Sequence, residues 1–324
     1  MFKYIKNYIP VAAALLSLGM LTACSDDDNV EQDEWTATYV YIQRTDFLES
    51  DCKTFNLKHT PLELTGEKSM DFSAKVQKPS NCDVSVDVII EGSDKLPSTS
   101  YRLVDREGNA LASNTLTIKA GRTSSDTVRM VLEDLSPLAN IEEQDEQKGC
   151  IKIDKITTDG HNTFIASNPK MTQINFCINK AKKKYISVED LPQGSVEIPS
   201  SSLTLTLDGN TRGSSDDLLD NSNGTFVEFD SDEDKGIMVD LGEEKKVTAI
   251  QTIYKSSYYA CTNTTIMYAD EEEWKEIGTM ETGGDTLTFN LLGKPKVRYL
   301  YIRLNEKASY WYSIKMTKLH IYTE

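Results

Sequence analysis

The sequence predicts an all-β protein built from two successive β-sandwiches. Apolar and polar residues alternate over short runs, turn-forming residues separate these runs, and no long stretch has the 3.6-residue period of a helix. Strands that recur about every dozen residues are typical of antiparallel sandwiches. A chain of 324 residues is long enough for two such domains. We place them at 38–180 and 186–324, joined by a linker at 181–185.

The first 23 residues are predicted to be a lipoprotein export signal that ends before Cys24. Lys3 and Lys6 provide its positive start, and the apolar stretch 11–23 is well short of the roughly 20 residues that cross a bilayer as a helix. The sequence Leu-Thr-Ala-Cys at 21–24 is what a lipobox requires, because cleavage frees the amine of Cys24 and the sulfur takes a diacylglycerol. The mature chain is therefore expected to begin at Cys24, anchored to a membrane by lipid and crossing nothing.

Residues 24–37 are predicted to form an acidic tether. Asp26, Asp27 and Asp28 follow the lipid-bearing cysteine, and their mutual repulsion favours an extended, solvated chain. This run also resembles the acidic export signal of Bacteroidetes-type lipoproteins. The resemblance implies an outer-membrane location with the protein exposed at the cell surface.

The predicted domain at 38–180 consists of short alternating strands. Residues 84–90 give the clearest one, because four aliphatic side chains fall on one face. The other predicted strands lie at 39–42, 61–64, 70–76, 116–118, 128–132, 151–153 and 174–176. With its turn at 120–124, this half resembles an immunoglobulin-like domain of unknown function found in many surface lipoproteins. The resemblance implies a β-sandwich and carries no known site.

Five cysteines follow Cys24 in a compartment that permits disulfides, namely Cys52, Cys82, Cys150, Cys177 and Cys261. Two pairings are hypotheses from predicted hairpins. Cys52 and Cys82 flank a turn at 66–68, and Cys150 and Cys177 flank a turn at 159–162. These pairings leave Cys261 unpaired. No Cys-x-x-Cys spacing is present, so the pattern does not favour zinc.

Charge argues against nucleic acid as a partner. Residues 1–23 contain two lysines and no acid, so the mature chain has 33 basic and 51 acidic residues, a net charge of −18. Binding to phosphates needs a basic surface. The one basic cluster, at 180–184, is predicted to be linker that packs against nothing. A neutral ligand such as a glycan suits the composition better.

The half at 186–324 carries the more distinctive order of motifs. The motifs are a turn-rich loop at 218–226, a strand and tight turn at 236–242, and strands at 246–250, 265–270, 274–278, 297–304 and 314–322. In this order they resemble the discoidin, or coagulation-factor type C, domain. The resemblance implies a galactose-binding-like β-jelly-roll whose carbohydrate-binding members hold sugars on loops at one end.

Alternation in the last two strands supports a sandwich independently of that resemblance. Leu300, Ile302 and Leu304 share one face of the strand at 297–304. In the final strand, residues 314 and 316 have one parity and residues 319 and 321 the other. Both pairs can face the core only if one residue is inserted near 317–318, which predicts a β-bulge.

No catalytic motif is present, and the protein is predicted not to be an enzyme. The histidines His59, His161 and His320 are far apart and lie in no recognisable metal or nucleophile motif. Carboxylates are so frequent that no glycosidase pair can be selected from the sequence.

Two aromatic loops, 255–263 and 305–312, are the predicted ligand site. The candidate ligand-binding residues are Tyr258, Tyr259, Tyr310, Asn263 and Asn221. Each tyrosine could instead be a half-buried loop anchor, an alternative that the sequence leaves open. Trp311, which falls where the discoidin family has a packed tryptophan, and Trp274 are assigned to the core.

The discoidin resemblance also raises the question of a structural calcium ion, and no cofactor is predicted. Such domains often bind calcium with the loop that corresponds to 220–225 and a glutamate before the final strand. Here Lys318 stands in the place of that glutamate, and Asn221 replaces the usual glycine. An ammonium beside a divalent ion is unfavourable, so the sequence argues against calcium.

These observations predict a non-catalytic surface lipoprotein that binds glycan through its discoidin-like domain. By resemblance it would belong to a polysaccharide-uptake system, with outer-membrane transport proteins as further partners. The alternative is a structural or adhesion lipoprotein that binds another envelope or host protein.

Overall fold

The computed structural model describes residues 37–46, 52–160, 162–230, 235–270, 273–308 and 312–324. The predicted signal, the lipidation site Cys24 and most of the acidic tether lie outside these residues, as do Tyr310, Trp311 and His161. Within the described part of the chain, no helix combines the length and apolarity that a membrane span requires.

The predicted all-β sandwich class is confirmed. The first eleven strands are β1 (Thr38–Arg44), β2 (Cys52–His59), β3 (Leu64–Thr65), β4 (Ser69–Val76), β5 (Val84–Glu91), β6 (Tyr101–Val104), β7 (Thr115–Ile118), β8 (Val128–Leu132), β9 (Asp145–Thr158), β10 (Thr163–Ile165) and β11 (Gln173–Lys180). Two single-turn helices, α1 (Ser136–Ala139) and α2 (Pro169–Thr172), lie in the connections. The strands form one sheet in the order β10-β1-β4-β8-β6 and a second in the order β3-β2-β11-β9-β5-β7. We call this the N-terminal unit.

The core of the N-terminal unit lies between these two sheets. The predicted face of β5 is confirmed, since Val84, Val86, Val88 and Ile90 are all buried. Alternation places one side of each strand in the core, where each large aliphatic or aromatic side chain contributes about 1.5–3 kcal/mol. Phe176 fits only because residue 149 is glycine: a Cβ there would lie 2.4 Å from the phenyl Cζ.

The remaining strands form the C-terminal unit. They are β12 (Ile186–Val188), β13 (Val196–Glu197), β14 (Thr204–Asp208), β15 (Thr211–Arg212), β16 (Val227–Phe229), β17 (Gly236–Tyr254), β18 (Cys261–Asp270), β19 (Glu273–Glu281), β20 (Thr286–Leu291), β21 (Lys296–Lys307) and β22 (Ile314–Thr323). The start of β17 pairs with β14 and β21, and its end pairs with β20 and β22. The register shifts between Asp240 and Lys245, where Gly242 has φ +78°. One long strand therefore joins the two layers.

The predicted β-bulge in the last strand is confirmed at Thr317. Lys318 lies opposite Ile253 and Met316 opposite Tyr254, so Thr317 is the extra residue. Its hydroxyl donates a hydrogen bond to the carbonyl of Ile253 (3.1 Å). The inserted residue reverses the parity, and the apolar side chains on both sides of it are buried.

The basic run at 180–184 is not an unpacked segment, which corrects the sequence interpretation. Lys180 ends β11 and is fully buried, and its ammonium donates to the carbonyl of Glu143 at 2.6 Å. Lys183 pairs with Glu142 at 3.0 Å. Residues 174, 176, 178 and 180 share the inward parity of β11, so the strand carries the lysine into the interior.

The two hypothetical cysteine pairings are wrong in this structure. β2 and β4 lie in different sheets and form no hairpin, and Cys82, in the loop between β4 and β5, is not bonded to Cys52. Cys150 lies opposite Asn175 in the β9–β11 register, two positions from Cys177. Instead, the Sγ atoms of Cys52 and Cys177 are 2.8 Å apart across the parallel strands β2 and β11.

Candidate functional site

The candidate site lies where β17 turns into β18 at one end of the C-terminal unit. β17 ends with the buried Tyr254, the chain turns through Ser257–Tyr259, and β18 begins at the buried Cys261. The backbone N–H of Lys255 donates to the carbonyl of Lys315 at 2.9 Å, which ties this turn to β22. Buried residues on both sides therefore hold a short aromatic turn at the surface.

Three tyrosines form a ring cluster at this turn: Tyr258, Tyr259 and Tyr312. The ring of Tyr312 lies 5.1 Å from Tyr259 in an edge-on arrangement and 6.4 Å from Tyr258, centroid to centroid. Tyr258 is 68% exposed and Tyr312 44%, whereas Tyr259 is half-buried beneath them. Contacts between the rings restrict their orientation, and two of the three leave ring surface open to solvent.

Two lysines extend the ring cluster towards Phe226. The ammonium of Lys315 lies 5.0 Å from the ring centroid of Tyr259 and 5.2 Å from that of Phe226. The ammonium of Lys255 lies 4.7 Å from the same Phe226 centroid. We call Lys255 and Lys315 the lysine pair. Both ammonium groups are within the distance at which a cation is attracted to the face of an aromatic ring.

Glu228 is a carboxylate that contacts the lysine pair. Its side chain accepts a short hydrogen bond from Ser313 and pairs with Lys315 at 3.4 Å. The hydrogen bond from Ser313, and then the ammonium of Lys315, lowers the pKa of Glu228 below its usual range. A polar cavity of about 120 Å³ opens beside this carboxylate and is lined by Asn210, Arg212, Glu228 and Asp230.

Residues 197–317 match the family model of the F5/8 type C domain. The C-terminal unit is an F5/8 type C domain. This confirms the discoidin resemblance over most of the range that the motifs indicated. Residues 1–78 match a second model, which is described only as a domain of unknown function. No curated protein matches the chain.

Three solved structures are similar to parts or all of the chain. A two-domain protein of unknown function from Bacteroides fragilis is 14% identical, with 99% of this chain and 100% of that one covered and a TM-score of 0.37. A carbohydrate-binding module of a Clostridium perfringens family 89 protein, in complex with GalNAc-β-1,3-galactose, is 10% identical over 39% of this chain and 99% of that one, with a TM-score of 0.35. The family 32 module of Clostridium perfringens NanJ, in complex with galactose, is 15% identical. The match covers 40% of this chain and 98% of that one, with a TM-score of 0.33.

The structure brings together only some of the predicted site residues. Tyr258 and Tyr259 both lie in the ring cluster of the F5/8 type C domain. Asn263 lies on β18, where its side-chain oxygen accepts a hydrogen bond from Asn305 at 2.8 Å rather than from the ring cluster. Asn221 is exposed on a separate loop, and no described hydrogen bond joins it to these rings.

Sequence reasoning missed Tyr312, which contacts both of the other tyrosines. The signal was present, because Tyr312 ends the aromatic run 310–312. Alternation does not extend beyond the start of β22, so the pattern could not show that the ring of Tyr312 would lie against that of Tyr259.

Trp274 is not a core residue, which corrects the second tryptophan assignment. It is 41% exposed on β19, the edge strand of its layer, and its ring lies 5.6 Å from that of Tyr301. A large side chain on an edge strand can pack on a neighbouring ring without entering the core. Trp274 therefore provides an exposed aromatic ring outside the ring cluster.

In the loop at 220–225, where the discoidin resemblance implies calcium, the carboxylate of Asp220 is engaged within the loop and lies near a lysine. The two carboxylate oxygens of Asp220 accept hydrogen bonds from the N–H of Ser222 and the hydroxyl of Thr225, each 2.7 Å long. These bonds, led by that of Thr225, lower the pKa of Asp220, and the positive charge of Lys318 contributes. Asn221 adopts the left-handed conformation (φ +57°) that glycine would allow. The described residues elsewhere contain no group of three potential metal ligands.

Proposed function

We propose that this protein binds glycans without cleaving them, through the ring cluster of its F5/8 type C domain. The observation that carries the proposal is the pair of exposed rings, Tyr258 and Tyr312, fixed at the end of a rigid β-sandwich. The C–H face of a pyranose packs against such rings, while nearby polar groups bind its hydroxyls. Glu228 and Arg212 line the adjoining polar cavity and are candidates for that second role.

The site predicts modest affinity for a single sugar unit. Two partly exposed rings bury little ligand surface, and binding must offset the lost freedom of the ligand. A dissociation constant in the range of about 0.1–1 mM, near −4 to −5.5 kcal/mol, is the expected scale. A polysaccharide presented to many copies at a membrane would be retained more strongly through multivalency.

A glycan array probed with the full chain in detergent tests this function. Galactose and GalNAc-β-1,3-galactose, the ligands of two similar modules, belong on the array. Tyr258→Ala and Tyr312→Ala should each weaken binding about three- to tenfold, on the scale of a lost aromatic contact. Trp274→Ala is the matched control, because it removes an exposed ring outside the ring cluster. If no glycan binds, the glycan proposal is wrong and the adhesion alternative is favoured.

We further propose that lipid on Cys24 anchors the protein in the outer membrane, facing outwards, as part of a polysaccharide-uptake system. The lipobox at 21–24 and the acidic run after it support this proposal. Metabolic labelling with a radioactive fatty acid should label the wild-type protein and not Cys24→Ala. Extracellular protease should degrade the protein on intact cells, and co-purified outer-membrane transport proteins would identify the uptake system. A protein that is unlabelled, or protected from protease on intact cells, contradicts this assignment.

A further inference from the structure

The lysine pair is unusual for a protein of this charge. The chain has a formal net charge of −16, and lysines elsewhere commonly contact a carboxylate. Three such pairs, each 2.8 or 2.9 Å long, are Lys53–Glu67, Lys119–Asp83 and Lys294–Glu324. Among the described residues, no carboxylate lies within ion-pair distance of Lys255. Its ammonium instead lies over the ring of Phe226.

Few of the described carboxylates compensate the positive charges of the lysine pair. Both ammonium groups lie within about 5 Å of the same Phe226 centroid, and a neutral ring cannot compensate two positive charges. Among the described ion pairs, Glu228 pairs with Lys315 and not with Lys255, and Arg212 adds another positive charge beside Glu228. Asp230 also lines the cavity, so the described side chains around the lysine pair and the cavity comprise three cations and two carboxylates. These described side chains therefore carry one excess positive charge, which one ligand carboxylate would balance.

The geometry connects this positive charge directly to the ring cluster. Lys315 contacts the ring of Tyr259, which packs against Tyr312, while Lys255 precedes the turn that carries Tyr258. A sugar stacked on the exposed rings would extend towards the lysine pair. We propose that the preferred ligand is an acidic glycan, whose sugar carboxylate is bound between Lys255 and Lys315. This proposal rests on the glycan-binding function proposed above and specifies its ligand class.

Matched acidic and neutral sugars test the proposal. The probes are uronate and sialic acid oligosaccharides, each compared with its own methyl ester, which keeps the ring and removes the charge. The full chain should bind the acid about tenfold more tightly than the ester at low salt, as expected for one solvent-screened charge contact. Because salt screens such contacts, 0.5 M NaCl should reduce the preference to about threefold or less.

Lys255→Gln is the informative variant, since none of the carboxylates that the structure describes pairs with Lys255 and no such ion pair is lost in the variant. It should lower affinity for the acid to that of the ester and leave affinity for the ester within about twofold. Lys296→Gln, a surface change beyond the ring cluster, is the control and should retain the preference. Equal binding of acid and ester overturns the acidic-ligand proposal but leaves the glycan function standing. Absence of binding to every sugar overturns both proposals.

Discussion

Oxidation of Cys52 and Cys177 to a disulfide should stabilise the N-terminal unit. Their sulfur atoms are 2.8 Å apart, and a disulfide needs about 2.05 Å, so closure requires a movement of less than about 1 Å. The cysteines lie on the same outer face of β2 and β11, diagonally rather than directly opposite, since Asn175 is the register partner of Cys52. Two thiols would give up two electrons and two protons to a protein-disulfide oxidant of the export compartment.

The size of the effect follows from the length of chain that the bond would close. The two cysteines are 125 positions apart, and loop closure over that length corresponds to about 5 kcal/mol of lost entropy in the unfolded chain. Because strain in the folded state offsets part of this gain, the net stabilisation by a disulfide is commonly about 2–4 kcal/mol. For the N-terminal unit this corresponds to a rise in Tm of roughly 5–15 °C. Burial and the neighbouring Cys177 raise the pKa of Cys52 to about 12. Oxidation should therefore be slow in air and need a catalyst, because the thiolate is the reactive form.

Calorimetry with and without dithiothreitol measures this contribution. The reductant should lower the Tm of the wild-type protein and leave that of Cys52→Ser unchanged. Cys82→Ser, in a loop outside both sheets, is the control and should keep the full difference. The unfolded, unreduced mature protein should show three titratable thiols, and peptide mapping should recover residues 52 and 177 in one cross-linked species. Five titratable thiols in protein exported by its own host would refute the reasoning.

Two other predictions concern pH and calcium. Burial, and then the charge of Lys180, lowers the pKa of His59 below its ordinary value of 6.5, so the unfolded chain binds a proton there that the folded chain does not. The contribution of His59 to the free energy of unfolding is thus complete above about pH 6.5 and decreases below that pH, by at most about 1.4 kcal/mol per pH unit. Urea unfolding at about pH 7.5 and about pH 5.5 measures this decrease, which should be smaller in His59→Gln than in His320→Gln. Calcium should not change the Tm of the wild-type protein, whereas Lys318→Glu, which places a carboxylate beside the Asp220 loop, should gain a calcium-dependent rise. A calcium-dependent rise in the wild-type protein would show that the cation can bind beside Lys318.

Features set by local alternation could be predicted from the sequence, and features set by long-range pairing could not. The bulge at Thr317 and the buried face of β5 follow from a period of two, which short segments reveal on their own. The cysteine contact depends on β2 pairing with β11, a strand more than a hundred residues away, rather than with the next strand in sequence. Short-range turn signals contain no information on that choice.

The site shows the same division between local and non-local information. The exposed turn with Tyr258 and Tyr259 was recognisable, because polar residues flank the tyrosines between two strands. The contact that completes the ring cluster comes from Tyr312, on a connection that meets this turn only after the jelly-roll closes. Lys180 and Trp274 show the limits of residue type as a guide to burial. Strand parity carries the lysine inwards, and the edge position of β19 leaves the tryptophan outside.

The bulge at Thr317 links the fold of the C-terminal unit to its site. Without the extra residue, β22 would expose either the apolar pair at 314 and 316 or the pair at 319 and 321. Exposing two large side chains costs about 1.5–3 kcal/mol for each, so a shift of the strand register is unfavourable. The same reversal of parity places Lys318 on the outer face of β22, the face that also carries Lys315. Lys315, before the bulge, contacts Tyr259, whereas Lys318, after it, acts on Asp220. One inserted residue thus keeps the cation that acts on the Asp220 loop on the same outer face as the cation that contacts the ring cluster.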